Sequence, residues 1–239
     1  MKNLQEEKEM LQEESSIFNS TLQRRSFLQY AGAGAAGIAL IAAGCKKDRN
    51  NPMEPGKTGV TLDFKDDFGV LNYAYALEQL EAAFYIQVAA TPYANISAAE
   101  LAYFKDIQFH EIAHREFFKN ALGAAAIGSL EVDFSKINFA DRTSVLGTAK
   151  AFEDLGVSAY NGAGSLLKST VYLTLAGKIV SVEARHAAYI RELISPNSFS
   201  NVEVVDMVNG LDKSRNPLEV LAIAGGFVKT KINVTNFNA

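Results

Sequence analysis

The stretch "FKDIQFHEIAHREFF", residues 104–118, decides how this chain is read. Phe104, Ile107 and Phe118 recur at three-and-four spacing, the apolar stripe of an amphipathic helix. The same spacing passes through positions 111 and 114, which are Glu111 and His114. A second stretch repeats the arrangement, with Tyr172, Leu175 and Ile179 leading through Glu183 and His186 to Ile190 and Leu193. The chain has three histidines in 239 residues, and two of them stand three positions after a glutamate in the middle of an apolar face. Glutamate is almost never buried without a partner, so each pair needs something to bind.

The flanking sequence supplies the other helices. Apolar periodicity predicts a first helix over roughly 66–90, with Val70, Ala74, Leu77, Phe84 and Val88 on its stripe, stopping before Pro92. The second spans about 97–122, opened by a capping box at "SAAE" (97–100) and closed at Gly123. The third runs from about 142 to 167 and the fourth from about 169 to 194, ending before Pro196. Residues 124–141 are expected to cross from one end of the bundle to the other. "PLEVLAIAGGFV", 217–228, begins with Pro at a helix-start position and predicts a short fifth helix. No segment reads as a sustained strand, so the fold class is an all-α bundle of four long helices. "NGLDKSRNP" reads as a loop, and the tail "INVTNFNA" carries no clear signal.

The first and third helices carry inward acids of their own. "ExLxxxxY" describes both Glu78-Leu80-Tyr85 and Glu153-Leu155-Tyr160, and the next helix brings ExxH in each case. The chain therefore reads as two copies of one unit, with glutamate spacings of 33 (78 to 111) and 30 (153 to 183). Four inward Glu and two inward His in a four-helix bundle are the inventory of a carboxylate-bridged dinuclear metal site. Carboxylate oxygens suit iron and manganese, and imidazole gives each ion one nitrogen. Four ionised carboxylates also balance two divalent cations. Glu81 shares the inner face with Glu78 and stands as an alternative or additional ligand, although it aligns with Gly156 in the second copy. His110 lies off the stripe and reads as a surface or satisfied histidine. Arg115 and Arg185 read as ordinary salt-bridge partners.

With these residues in view, the chain resembles the ferritin-like superfamily over roughly residues 66–230. "LNYAYALEQLEAAFY" and "SVEARHAAYIREL" are most similar to its exported, desiccation-related group. The resemblance implies Glu78, Glu111, His114, Glu153, Glu183 and His186 as ligands of two Fe or Mn ions, with Glu111 and Glu183 as bridges. Tyr85 and Tyr160 match positions beside the ligands, where a tyrosine can hydrogen-bond a ligand or be oxidised.

The N-terminal region has its own logic. Arg24-Arg25, then Phe27-Leu28, then a small apolar run ending in "AAGC" resembles a twin-arginine export signal finished by a lipobox, with Cys45 as the lipidated residue. Ala42 stands where a lipobox usually has Leu. Residues 1–45 are thus expected to be a signal, 46–65 a flexible tether and 66–239 the ferritin-like domain. The expectation is an exported protein held to the membrane by Cys45, in the periplasm or cell envelope; the alternative is an uncleaved transmembrane anchor over the apolar run from Phe27 to Cys45. Cys45 is the only cysteine, so no intrachain disulfide forms. The net charge of −4 carries no electrostatic footprint for nucleic acid.

Two metals held a few ångströms apart fit redox chemistry on peroxide or O2, and hence oxidative-stress protection. A lipid on every copy argues against a closed storage cage, though not against an oligomer. The readings set against this one are a non-catalytic envelope stress protein that uses the bundle as a scaffold, and a metal buffer without turnover.

Overall fold

The computed structural model describes residues 59–237. Arg24, Arg25, Cys45 and most of the tether lie outside the described residues. Four long helices form the body: α1 (Asp67–Ala90), α2 (Ala98–Leu122), α3 (Arg142–Gly164) and α4 (Thr170–Ile194). A short α5 (Pro217–Ala224) follows. The helices associate as two hairpins, α1 with α2 and α3 with α4, and α1 also packs on α3.

Each helix begins where its sequence offers a side-chain acceptor for free N–H groups. Asp66 accepts from Phe68 N, Ser97 from Glu100 N, Asp141 from Ser144 N and Ser169 from Tyr172 N. The capping box expected at 97–100 forms only by half. Ser97 caps, while the Glu100 carboxylate takes Arg142 Nε at 3.0 Å and so ties the start of α2 to the start of α3. The full reciprocal box occurs instead at α5, between Asn216 and Glu219.

The crossover between α2 and α3 runs along the outer side of α1. Its backbone is satisfied by two amides that α1 turns outward. Asn72 donates to Ala125 O at 2.9 Å and accepts from Ile127 N at 2.7 Å. Gln79 accepts from Leu130 N at 2.9 Å. Phe134 and Phe139 of the crossover close over Phe84, which meets Phe152 in turn. Covered on so many sides, α1 is buried almost all round, as its near-continuous apolar sequence requires.

Sequence periodicity gave no strand, yet short ones form. Strand β1 (Val60–Asp63) pairs in parallel with β4 (Ile232–Thr235). The two ends of the domain are thereby stitched together, and residues 60–63, from the end of the expected tether, belong to that pairing. A small hairpin, β2 (Val205–Asp206) with β3 (Leu211–Asp212), lies between α4 and α5. Four-residue segments are too short to show a period, which is why they were not legible.

The segment before α5 is fastened to α3 by Arg215, whose backbone N–H donates to Ser158 O at 2.9 Å. Gly162 permits the approach, since a Cβ there would overlap the Arg215 carbonyl. Alanine is normally the better helix residue, but here Gly162→Ala is expected to destabilise by ~1–3 kcal/mol, the range for overpacking. Thermal unfolding beside wild type checks this. An unchanged or raised melting temperature would show that the contact yields freely.

Candidate metal centre

Each long helix delivers part of one buried cluster. Glu78 comes from α1, Glu111 and His114 from α2, Glu153 from α3, and Glu183 and His186 from α4. All four glutamates are 0% exposed and His186 is 5% exposed.

Their ligating atoms fall into two groups of four, each group lying within 4.8 Å. In the first, His114 Nδ1 stands 2.7 Å from Glu183 Oε1, 3.6 Å from Glu78 Oε2 and 3.9 Å from Glu111 Oε2. In the second, His186 Nδ1 stands 2.9 Å from Glu111 Oε1, 3.5 Å from Glu153 Oε2 and 3.7 Å from Glu183 Oε2. Glu111 and Glu183 therefore send one oxygen into each group, while Glu78 and His114 serve one group and Glu153 and His186 the other.

None of these eight atoms has an aligned hydrogen-bond partner. A buried polar atom left without one costs about 1–3 kcal/mol, and native folds keep few such atoms. Eight together, converging from four helices as six carboxylate oxygens and two imidazole nitrogens, fit a site built for cations. The donor chemistry suits iron, manganese or a similar divalent ion.

The remaining oxygens of the two unshared carboxylates are occupied. Tyr85 OH donates to Glu153 Oε1 at 2.5 Å, and Tyr160 OH donates to Glu78 Oε1. The pairing is crossed, because each tyrosine serves the acid of the other copy. Seven residues along a helix is a rise of about 10 Å, so neither tyrosine can reach the acid on its own helix. The crossing also shows that α1 and α3 run antiparallel. Each unshared carboxylate thus has one oxygen tethered and one turned to the cluster.

Glu81 belongs to neither group, although it is buried. Its Oε1 occupies the space over Gly156, 2.9 Å from where a Cβ would stand. Burial, reinforced by the charges of Glu111, Glu183, Glu153 and Glu78, pushes its pKa well above the ordinary range. It sits beside the cluster, outside both groups. Arg185 turns back on its own helix, donating to Ser181 O at 2.9 Å. Arg115 meets its neighbour Glu116 at 2.8 Å.

His110 has a partner that the sequence did not name. It is exposed, as expected, but its Nδ1 lies 2.9 Å from His186 Nε2. The apolar stripe held no signal for this contact, because His110 is one position off it and its partner is 76 residues away.

Electrostatics tie the cluster to protons. Burial alone would depress His114, but contacts with Glu111, Glu183 and Glu78 push it up to about 12. Burial raises Glu153 to about 7 against the pull of His186. Burial opposes ionisation of Glu183 as well, yet His114 and His186 hold it down at about 2. Metal ligands must shed their protons to bind. Uptake is therefore expected to release protons and to strengthen as pH rises through about 7, where Glu153 loses its own. Calorimetric titrations at pH 6 and pH 8, in buffers of different ionisation enthalpy, measure both effects. Equal affinity and no proton release would refute this account.

Fold and cluster together define a class: four-helix bundles with an ExxH motif on two helices and one glutamate on each of the others. The sequence model of the ferritin-like domain family matches residues 66–196, more than half of the chain, and the protein belongs to that family. No curated protein matches the chain.

Proposed function

We propose that this protein binds two iron or manganese ions in the bundle and carries out redox chemistry on peroxide or O2, protecting the cell envelope from oxidative stress. The observation that carries the reading is the set of eight unpartnered ligand atoms in two groups that share Glu111 and Glu183. A metal-free polar network would be expected to satisfy these groups among themselves, and this one does not.

When bound, two such ions supply an exchange of two electrons with a small oxidant. The chain's own residues do the rest. Glu111 and Glu183 would hold both ions, and His114 and His186 would each give a nitrogen to one of them. Tyr160 and Tyr85 restrain Glu78 and Glu153 so that one oxygen of each stays available. Glu81 stands buried beside the cluster. The apolar residues around it, among them Phe84, Phe104, Phe118 and Ile179, keep bulk water out.

The envelope location rests on the sequence at Arg24, Arg25 and Cys45 and on the likeness to exported, desiccation-related proteins. Among the described residues no helix is long and apolar enough to cross a membrane, and attachment through a lipid on Cys45 is read from the sequence alone. Folding and metal loading before export suit a buried site of this kind.

Elemental analysis of the full chain, purified without chelator, tests the metal. About two Fe or Mn per chain is the expected result, followed by peroxide consumption or Fe(II) oxidation above that of free metal. No metal, even after anaerobic reconstitution with Fe(II) or Mn(II), would sink the reading. Two bound ions without turnover would leave a metal buffer.

A further inference from the structure

The two halves of the cluster differ in what stands behind each histidine. His186 Nδ1 faces the carboxylates, and its other ring nitrogen, Nε2, meets His110 Nδ1 at 2.9 Å. The two ring planes lie within 7° of each other with centroids 5.1 Å apart. A nitrogen–nitrogen separation of 2.9 Å is too short for rings stacked face to face, so the rings meet edge to edge in nearly one plane. That is the geometry of an N–H···N hydrogen bond. His114 shares the inward Nδ1 arrangement, but among the described residues its Nε2 has no hydrogen-bond partner.

The protonation pattern follows. A histidine that offers Nδ1 to a cation carries its one remaining proton on Nε2. His186 Nε2–H then donates to His110 Nδ1, and His110 keeps its own proton on Nε2. Each atom of the pair has a defined role with both rings neutral.

We propose that His110 is a positioning residue, which holds His186 as the Nδ1-donating tautomer and makes the Glu111–Glu153–Glu183–His186 position the tighter of two unequal metal positions. The inference rests on the two-metal reading above. A partner behind a metal-binding histidine fixes its ring and raises its basicity, and removing one weakens metal affinity by about 10- to 100-fold. The first position lacks that support at His114, so the second loads first.

The test is a Co(II) titration of the metal-free full chain, followed by visible absorption and by proton NMR of the ligated imidazole N–H groups. Wild type is expected to take up Co(II) in two steps, the tighter one accompanied by an N–H signal slow to exchange with water. His110→Leu should weaken the tighter step by about 10- to 100-fold and lose the slow signal while the weaker step stays put. His110→Asn, whose side-chain oxygen can accept where Nδ1 did, should restore both. His110 is exposed, so neither variant opens the core. Two steps unchanged in His110→Leu would overturn this proposal and leave the two-metal reading intact. No Co(II) bound by wild type would overturn both.

Discussion

Glu111→Ala/Glu183→Ala is expected to empty both metal positions at once. Each of the two carboxylates gives one oxygen to each group, so the double variant leaves every position two of its four ligand atoms. The same substitution on Glu78 or Glu153 should impair one position and spare the other. Stability will respond in the opposite sense to binding. In the metal-free protein these acids are buried, and burial pushes Glu111 well above its ordinary pKa. Replacing a buried ion pair as a whole with apolar residues of similar volume is often neutral or stabilising by ~1–4 kcal/mol. Replacing both acids together with the imidazoles that face them, in Glu111→Leu/Glu183→Leu/His114→Leu/His186→Leu, should therefore give a protein at least as stable as metal-free wild type. Wild type should recover its advantage only on loading, by about 4 kcal/mol when free metal is a thousandfold above Kd. Elemental analysis and thermal unfolding, each with and without chelator, separate these effects. Two ions retained by the alanine variant would mean that the shared carboxylates are not the bridges.

Arg191→Met is expected to produce the largest loss of stability without touching the metal. Arg191 is 2% exposed near the end of α4. Its Nε donates to Asp154 on α3 at 2.9 Å, and its other nitrogens reach Glu203 and Asn201 at 2.9–3.2 Å. The backbone C=O of Arg191 also accepts from Ser198 Oγ at 2.8 Å. One side chain thus anchors the segment after α4 to both α3 and α4. Removing one partner of a buried pair costs about 3–5 kcal/mol because the other is left uncompensated. The Glu203 share is smaller, since that side chain is 57% exposed and is screened by water. A loss of about 3 kcal/mol is expected, or roughly 6–12 °C in melting temperature for a domain of this size. Adding Asp154→Asn should recover part of it, because burial already raises the Asp154 pKa against the pull of Arg191. Metal content should not change. A fall below about 1 kcal/mol would place the pair among ordinary surface contacts.

Much of the centre was legible because helices are local objects. The cap at Ser97 and the stops before Pro92 and Pro196 mark boundaries within a few residues of those observed. Once 104–118 is helical, the i, i+3 relation of Glu111 to His114 places both on the buried stripe whatever packs against it. Other features were beyond that logic. Glu78 and Glu81 are also three apart on one face, so periodicity ranks them equally. The space over Gly156, on a different helix, receives Glu81 and leaves Glu78 to the cluster. The repeated "ExLxxxxY" marked Tyr85 and Tyr160, but not that each serves the opposite copy.

The sequence by itself therefore determined the four helices, their inward faces and the carboxylate and imidazole inventory of the buried site. These depend on propensity, capping and period, all set within a few turns of chain. Only the tertiary structure decided how the ligands divide into two groups, which tyrosine holds which acid, that His110 stands behind His186, and that β1 pairs with β4. The tyrosine, histidine and strand contacts join residues 68 to 173 positions apart. They follow from the rotation of each helix about its axis and from which neighbour lies across the gap. Packing of the whole domain sets both, and no short stretch of sequence encodes them.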